Sequence, residues 1–268
     1  MRGMRRGERE QQPRMLDAPL YQGFRFCVVG AGTAYALSTI LPFGEQRATF
    51  LDTWFYSLAL VGTAMLAVAR PLLVRHHRPA WLCVGLAVAS WAAGDIYWSA
   101  AFSASPGDEI PVPSLADVFY IGIYPLAFAG FILLARAAVT RLPASVLLDR
   151  AVISLAAGAV FCASVVVHVL SIDSGGALGE KITYLLYPVG DLMLIIISLV
   201  VLATVRRRSY PTWWLLGLGA GFFATADTAY LFGLSKDAYV DGSWVDGLWM
   251  LGLMFMALAG SLNPATGE

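Results

Sequence analysis

Three aspartates, Asp95, Asp191 and Asp227, stand inside long runs of apolar residues, where carboxylates are rare. An ionised aspartate at the centre of a lipid bilayer costs about 2.5–3.5 kcal/mol on insertion scales. A carboxylate kept there despite that cost faces the interior of a helix bundle. It either belongs to a ligand or proton site, or accepts an interhelical hydrogen bond from Tyr, Trp, Ser or Thr. Both readings stay open for all three residues. Asp191 lies nine residues into its run, near mid-membrane. Asp95 is set in Trp91-Ala92-Ala93-Gly94-Asp95-Ile96-Tyr97-Trp98, and Asp227 in Phe223-Ala224-Thr225-Ala226-Asp227-Thr228-Ala229-Tyr230. Each has an aromatic four residues before it, a small residue directly before it and an aromatic three residues after. The expected ligand-binding site or polar core is therefore Asp95, Asp191 and Asp227, with Tyr97, Trp98 and Tyr230 lining an outward pocket.

Other chemistry is poorly supplied. His168 is the only histidine within an apolar run, and a bis-histidine haem site would need a second. Cys27, Cys83 and Cys162 all fall inside apolar runs, with no spacing that pairs them or gathers a metal set. HExxH, GxSxG and GxxxxGK[ST] do not occur. No catalytic residue, metal or cofactor is expected, and the chain does not read as an enzyme. Gly30-Ala31-Gly32 and Gly217-Leu218-Gly219-Ala220-Gly221 lie in apolar runs and read as close helix-packing surfaces rather than phosphate loops.

The elements that must position these residues follow from composition. Of the 268 residues 58% are hydrophobic and 13% charged, about half the charge of a soluble domain. One soluble core of this length could not hide so much apolar surface. The same content excludes disorder, three cysteines exclude a disulfide scaffold, and zero net charge argues against a nucleic-acid partner. A membrane-spanning helix needs about 20 apolar residues, and eight such runs are present: 24–42, 50–69, 80–101, 114–135, 150–171, 182–204, 212–233 and 244–262. The first has no cleavage-site pattern after it and reads as a retained span. The expected fold is all-α, a polytopic membrane bundle of about eight transmembrane helices. A basic tail (1–23) precedes the integral membrane domain (24–262), and a short tail (263–268) follows it. With the N-terminus in the cytoplasm, fifteen of the eighteen basic residues fall inside, and only Arg47, Lys181 and Lys236 fall outside. This is the bias of the positive-inside rule, and it places both termini in the cytoplasm.

The aspartate motifs mark a repeat, a helix followed by an outside loop and a returning helix. Thr49-Phe50-Leu51-Asp52, Ser114-Leu115-Ala116-Asp117 and Ser243-Trp244-Val245-Asp246 each open a returning helix. They resemble capping boxes, in which the hydroxyl accepts a backbone N–H and the carboxylate reaches back. Thr49, Asp52, Ser114, Asp117, Ser243 and Asp246 are therefore expected to be helix caps. The sixth span lacks the box but shares Tyr187-Pro188 with Tyr124-Pro125 of the fourth, and Pro125 and Pro188 are expected kinks.

Four phrases then carry a resemblance: SLADVFYIGIYPLAFAGFILLAR, ITYLLYPVGDLMLI, ATADTAYLFGL and DGSWVDGLWMLGLMFMALAG. In this order they resemble the multi-spanning sensory region of bacterial membrane-bound GGDEF and EAL proteins, which make or degrade cyclic di-GMP. The resemblance covers about residues 80–262 and implies a signal-input module of the bacterial cytoplasmic membrane. Its implied partner is a cytoplasmic GGDEF or EAL output domain, and a homodimer is compatible with it. The 268 residues contain no GGDEF, EAL or PAS-like segment, so the resemblance extends to the input role and not to catalysis. A small proton-coupled transporter or channel and a membrane scaffold or assembly subunit are the alternative expectations.

Overall fold

The computed structural model describes residues 15–41, 48–102, 112–138, 178–205, 209–236 and 238–262, with isolated helical positions between 148 and 163. All elements assigned among the described residues are helical: α1 (Pro19–Ile40), a π-helical segment (Ala48–Phe55), α2 (Tyr56–Leu73), α3 (Arg78–Phe102), α4 (Leu115–Ala138), α5 (Leu178–Leu202), α6 (Tyr210–Leu234) and α7 (Trp244–Ser261). Pro19 and Pro211 begin α1 and α6, where a missing N–H and a fixed φ suit the first turn.

Six of these helices are long and apolar enough to cross a membrane: Phe50–Leu73, α3, α4, α5, α6 and α7. The expected first span coincides with α1, which mixes Arg25, Thr33, Ser38 and Thr39 among its apolar residues and is not one of the six. The expected fifth span, with His168 and Cys162, lies almost wholly outside the described residues. Lipid as the surrounding solvent explains the exposed faces. Leu20, Phe26, Trp54, Leu58, Leu72 and Val118 point outward, while Thr63, Thr183, Asp191, Ser198 and Asp227 point inward. A soluble protein would show the opposite preference.

Apart from α4 and α5, consecutive helices pack antiparallel, and close backbone approach is made by small residues. Gly85 of α3 lies against the Ala67 carbonyl of α2, and Gly130 of α4 against that of Ala80 in α3. At the α6–α7 crossing a Cβ on Gly219 would stand 2.8 Å from the Gly252 carbonyl oxygen. Gly221, two residues on, meets open space, so only part of that glycine run is a packing surface. The central element is α7: 72% of its apolar window is buried, against 33% for α4 and for α5.

Helices α4 and α5 are parallel neighbours, since Tyr124 packs on Gly190 and Tyr187 bonds to Asp117. The chain therefore leaves α4 at one end of the bundle and enters α5 at the other. Gly158, one of the described positions between them, packs on Leu192 of α5.

Candidate functional site

The polar core is assembled from one side chain per helix. Asp227 of α6 accepts a hydrogen bond from Trp249 Nε1 of α7 at 2.6 Å and one from the Tyr124 hydroxyl of α4 at 2.9 Å. The same tyrosine oxygen lies 3.1 Å from Oδ1 of Asp191 in α5. The two carboxyl groups are also within hydrogen-bond reach of each other. Ionised carboxylates only accept, so a bond between them requires at least one carboxyl proton. Tyr124 has a single hydroxyl proton and cannot donate to both oxygens at once, which again calls for a carboxyl proton if both contacts are hydrogen bonds. Asp191 Oδ2 remains buried with no donor among the described residues.

Local sequence explains how these groups meet. Gly190 precedes Asp191, and a Cβ there would fall within the Tyr124 ring, so the bare backbone of α5 is the seat of that ring. Gly94 precedes Asp95 and seats Tyr120 in the same way, its Cβ position being 2.8 Å from the ring. The glycine before each of these two aspartates is thus the contact surface for the aromatic that serves it. Ala226 holds this position before Asp227.

The internal repeat is visible in these pairs. Asp95 is hydrogen-bonded to Tyr120 within the α3–α4 hairpin, and Asp227 to Trp249 within α6–α7. Tyr120 stands three residues after Asp117, and Trp249 three after Asp246, so each lies on the helix face of its cap residue. The two hairpins join through corresponding residues: Trp91 and Phe223, each four before its aspartate, meet edge to face at 4.5 Å. Trp91 also packs on Tyr120 at 4.5 Å and on Trp249 at 5.7 Å.

Asp95 and Asp227 therefore keep separate partners, and the carboxyl that approaches Asp227 is Asp191. Tyr97 and Trp98 pack on Phe102 near the end of α3. Tyr230 packs on Tyr239 at 4.8 Å and Trp249 at 5.6 Å, beside the network.

The capping residues divide. Asp117 Oδ2 accepts the Ser114 backbone N–H at 2.6 Å and the Ser114 hydroxyl at 3.0 Å. Asp246 likewise receives the Ser243 backbone N–H and its hydroxyl, the latter at 3.4 Å. The carboxylate arm of the box is present in both. Each serine turns its O–H toward the carboxylate, and the expected hydroxyl arm is not made by Ser243. Both caps also accept a phenol: Tyr187 reaches Asp117 at 2.7 Å and Tyr239 reaches Asp246 at 3.0 Å. Tyr239 lies in the loop before α7, and its pKa is pushed well up by burial and then by the Asp246 and Asp241 carboxylates. It is held as a phenol donor.

Asp52 departs from the pattern, since it sits in the π-helical segment and α2 begins only at Tyr56. Its carboxylate abuts Gly242, whose φ of +77° and lack of a side chain are both needed there. The Thr49 side chain lies outside the described residues. Pro125 and Pro188 lie within continuous helices, each directly after a tyrosine of the network. A carboxylate missed by the sequence reading is Glu180, seven residues before Tyr187 as Asp117 is before Tyr124; it bonds Tyr184. That common offset was the signal that would have found it.

Among the described residues no group of His, Cys, Asp and Glu is arranged to hold a metal ion. Comparison with family models, curated proteins and solved structures finds no match, so the arrangement is interpreted from its own geometry.

Proposed function

We propose that the chain is a signal-input module of the bacterial cytoplasmic membrane, with eight spans and both termini in the cytoplasm. In this reading it acts as the sensory regions of diguanylate cyclases and cyclic di-GMP phosphodiesterases do, without catalysis of its own. The observation that carries the proposal is Tyr124, whose one hydroxyl serves carboxyls on two other helices. Because the one hydroxyl proton cannot serve both, the network has alternative hydrogen-bond arrangements that differ in where its hydroxyl and carboxyl protons lie. An outer-leaflet signal that favours one arrangement shifts α4, α5 and α6 relative to α7, which Trp249 ties to Asp227. The central α7 then carries the shift toward the cytoplasm. Interhelical hydrogen bonds of this kind contribute about 0.6–2 kcal/mol each, enough to bias a two-state bundle several-fold.

The test joins the full chain at its C-terminus to a diguanylate cyclase domain and measures cyclic di-GMP for wild type and Tyr124→Phe. Removing one hydroxyl is expected to change output at least about threefold at equal amounts of folded protein. Equal output would overturn the reading.

A second reading, proton-coupled transport, draws on the Asp191–Asp227 contact, since carboxyl pairs that share a proton suit proton relays. Proton flux in proteoliposomes that Asp191→Asn abolishes would put that reading first.

A further inference from the structure

At the opposite end of α2 from the π-helical segment, a guanidinium is buried with no counter-ion among the described residues. Arg70 is 2% exposed and stands three residues before the end of its span. Its Nη1 donates to the Val74 carbonyl at 3.4 Å, a long bond, and its Nε has no acceptor among the described residues. The guanidinium carbon lies 5.6 Å from the Trp81 ring centroid. Tyr21 of α1 is close enough to interact electrostatically with Arg70, is also buried, and its hydroxyl has no partner among the described residues. Two orphaned donors on different helices therefore stand within electrostatic range of each other, one of them carrying a fixed positive charge.

Burying an unpaired guanidinium is costly, and so is burying an unbonded phenol. An anionic oxygen acceptor placed between them removes both costs. The level at which they sit selects its source. Arg70 lies near the end of one span, and Trp81 three residues into the next, where tryptophan marks the membrane–water boundary. Lipid phosphodiesters lie at that depth, and basic clefts between helices bind them. The adjoining turn is basic as well, with Arg75, His76, His77 and Arg78 following in sequence. His77 has its pKa lowered by burial first, and then by the neighbouring His76 and Arg70.

We propose that Arg70 and Tyr21 form a binding site for the phosphodiester of a lipid headgroup, with the guanidinium beside the Trp81 ring. The guanidinium supplies Nε–H and a second N–H as a fork suited to two phosphate oxygens. The phenol supplies a third donor. This site is independent of the Asp–Tyr network and of the input reading.

Native mass spectrometry of the full chain, purified in mild detergent and titrated with phosphatidylglycerol, tests it. Wild type is expected to hold one lipid that survives delipidating washes. Arg70→Gln is expected to weaken binding about tenfold or more, and Tyr21→Phe about threefold, because charge-assisted bonds are the stronger. Tyr21→Phe removes a single oxygen and keeps the proposal testable if Arg70→Gln does not fold. Inorganic phosphate alone is expected to leave the wild-type melting temperature unchanged. Stabilisation by phosphate with no lipid retained would assign the site to a free anion and overturn the lipid assignment. Lipid binding unchanged in both variants would overturn the site itself.

Discussion

Asp227→Leu is expected to destabilise the folded protein by roughly 2–4 kcal/mol, whereas Asp227→Asn is expected to cost much less. Leucine keeps the branched four-atom shape of aspartate and is larger, so no cavity is left and the effect comes from the lost acceptor oxygens. The substitution removes the acceptor for Trp249 Nε1 and for the Tyr124 hydroxyl, both buried. Each buried donor left without a partner costs about 1–3 kcal/mol. Water cannot reach them in the bundle, although Tyr124 keeps Asp191 within reach and recovers part of the loss. Asparagine retains a carbonyl oxygen for one donor and an amide for the neighbouring Asp191. Unfolding of the detergent-solubilised protein by titration with a denaturing detergent measures the order. Equal stability of wild type and Asp227→Leu would mean that the network is not formed.

The second large effect is expected from one methyl group. Gly190→Ala places its Cβ in the Tyr124 ring, so either the ring leaves α5 or the two helices separate. Overpacking of this kind costs about 1–3 kcal/mol, and displacement of the ring adds the loss of its hydrogen bonds. Gly221→Ala meets no atom within 4 Å and is the matched comparison. It is expected to be neutral or to stabilise by up to about 1 kcal/mol through helix propensity. Thermal midpoints of the two variants, measured side by side, check the contrast. Tyr124→Ala relieves the clash, so its effect and that of Gly190→Ala should be less than additive.

Much of this was legible in the sequence, because apolar runs and isolated intramembrane carboxylates are strong signals. The runs around 80–101, 114–135, 182–204, 212–233 and 244–262 correspond to α3 through α7 with ends displaced by a few residues. The repeat motif was legible as a pattern, but its physical content was not. Only the folded chain shows that Trp91 and Phe223 touch, or that the small residue before Asp95 and Asp191 is a seat for an aromatic ring. Partner choice is a long-range matter. Tyr124 and Asp191 are 67 residues apart, and Tyr124 and Asp227 are 103 apart. No local spacing encodes either pairing. Asp52 shows the converse, because a local pattern identical in kind to the other two leads to a different turn. The neighbouring Gly242 loop presses on its carboxylate, and tertiary packing sets how that helix begins.

The central claim is that the Tyr124–Asp191–Asp227 network sets the position of α7. Electron–electron distances between spin labels at Ala137→Cys, on the exposed end of α4, and Leu262→Cys, just past α7, test it most directly. Cys27, Cys83 and Cys162 are replaced by alanine in that background. Tyr124→Phe is expected to shift or broaden the distance distribution, since it removes the hydroxyl that joins α4 to α5 and α6. Superimposable distributions, with the protein folded in both cases, would contradict the account and leave the network a static brace.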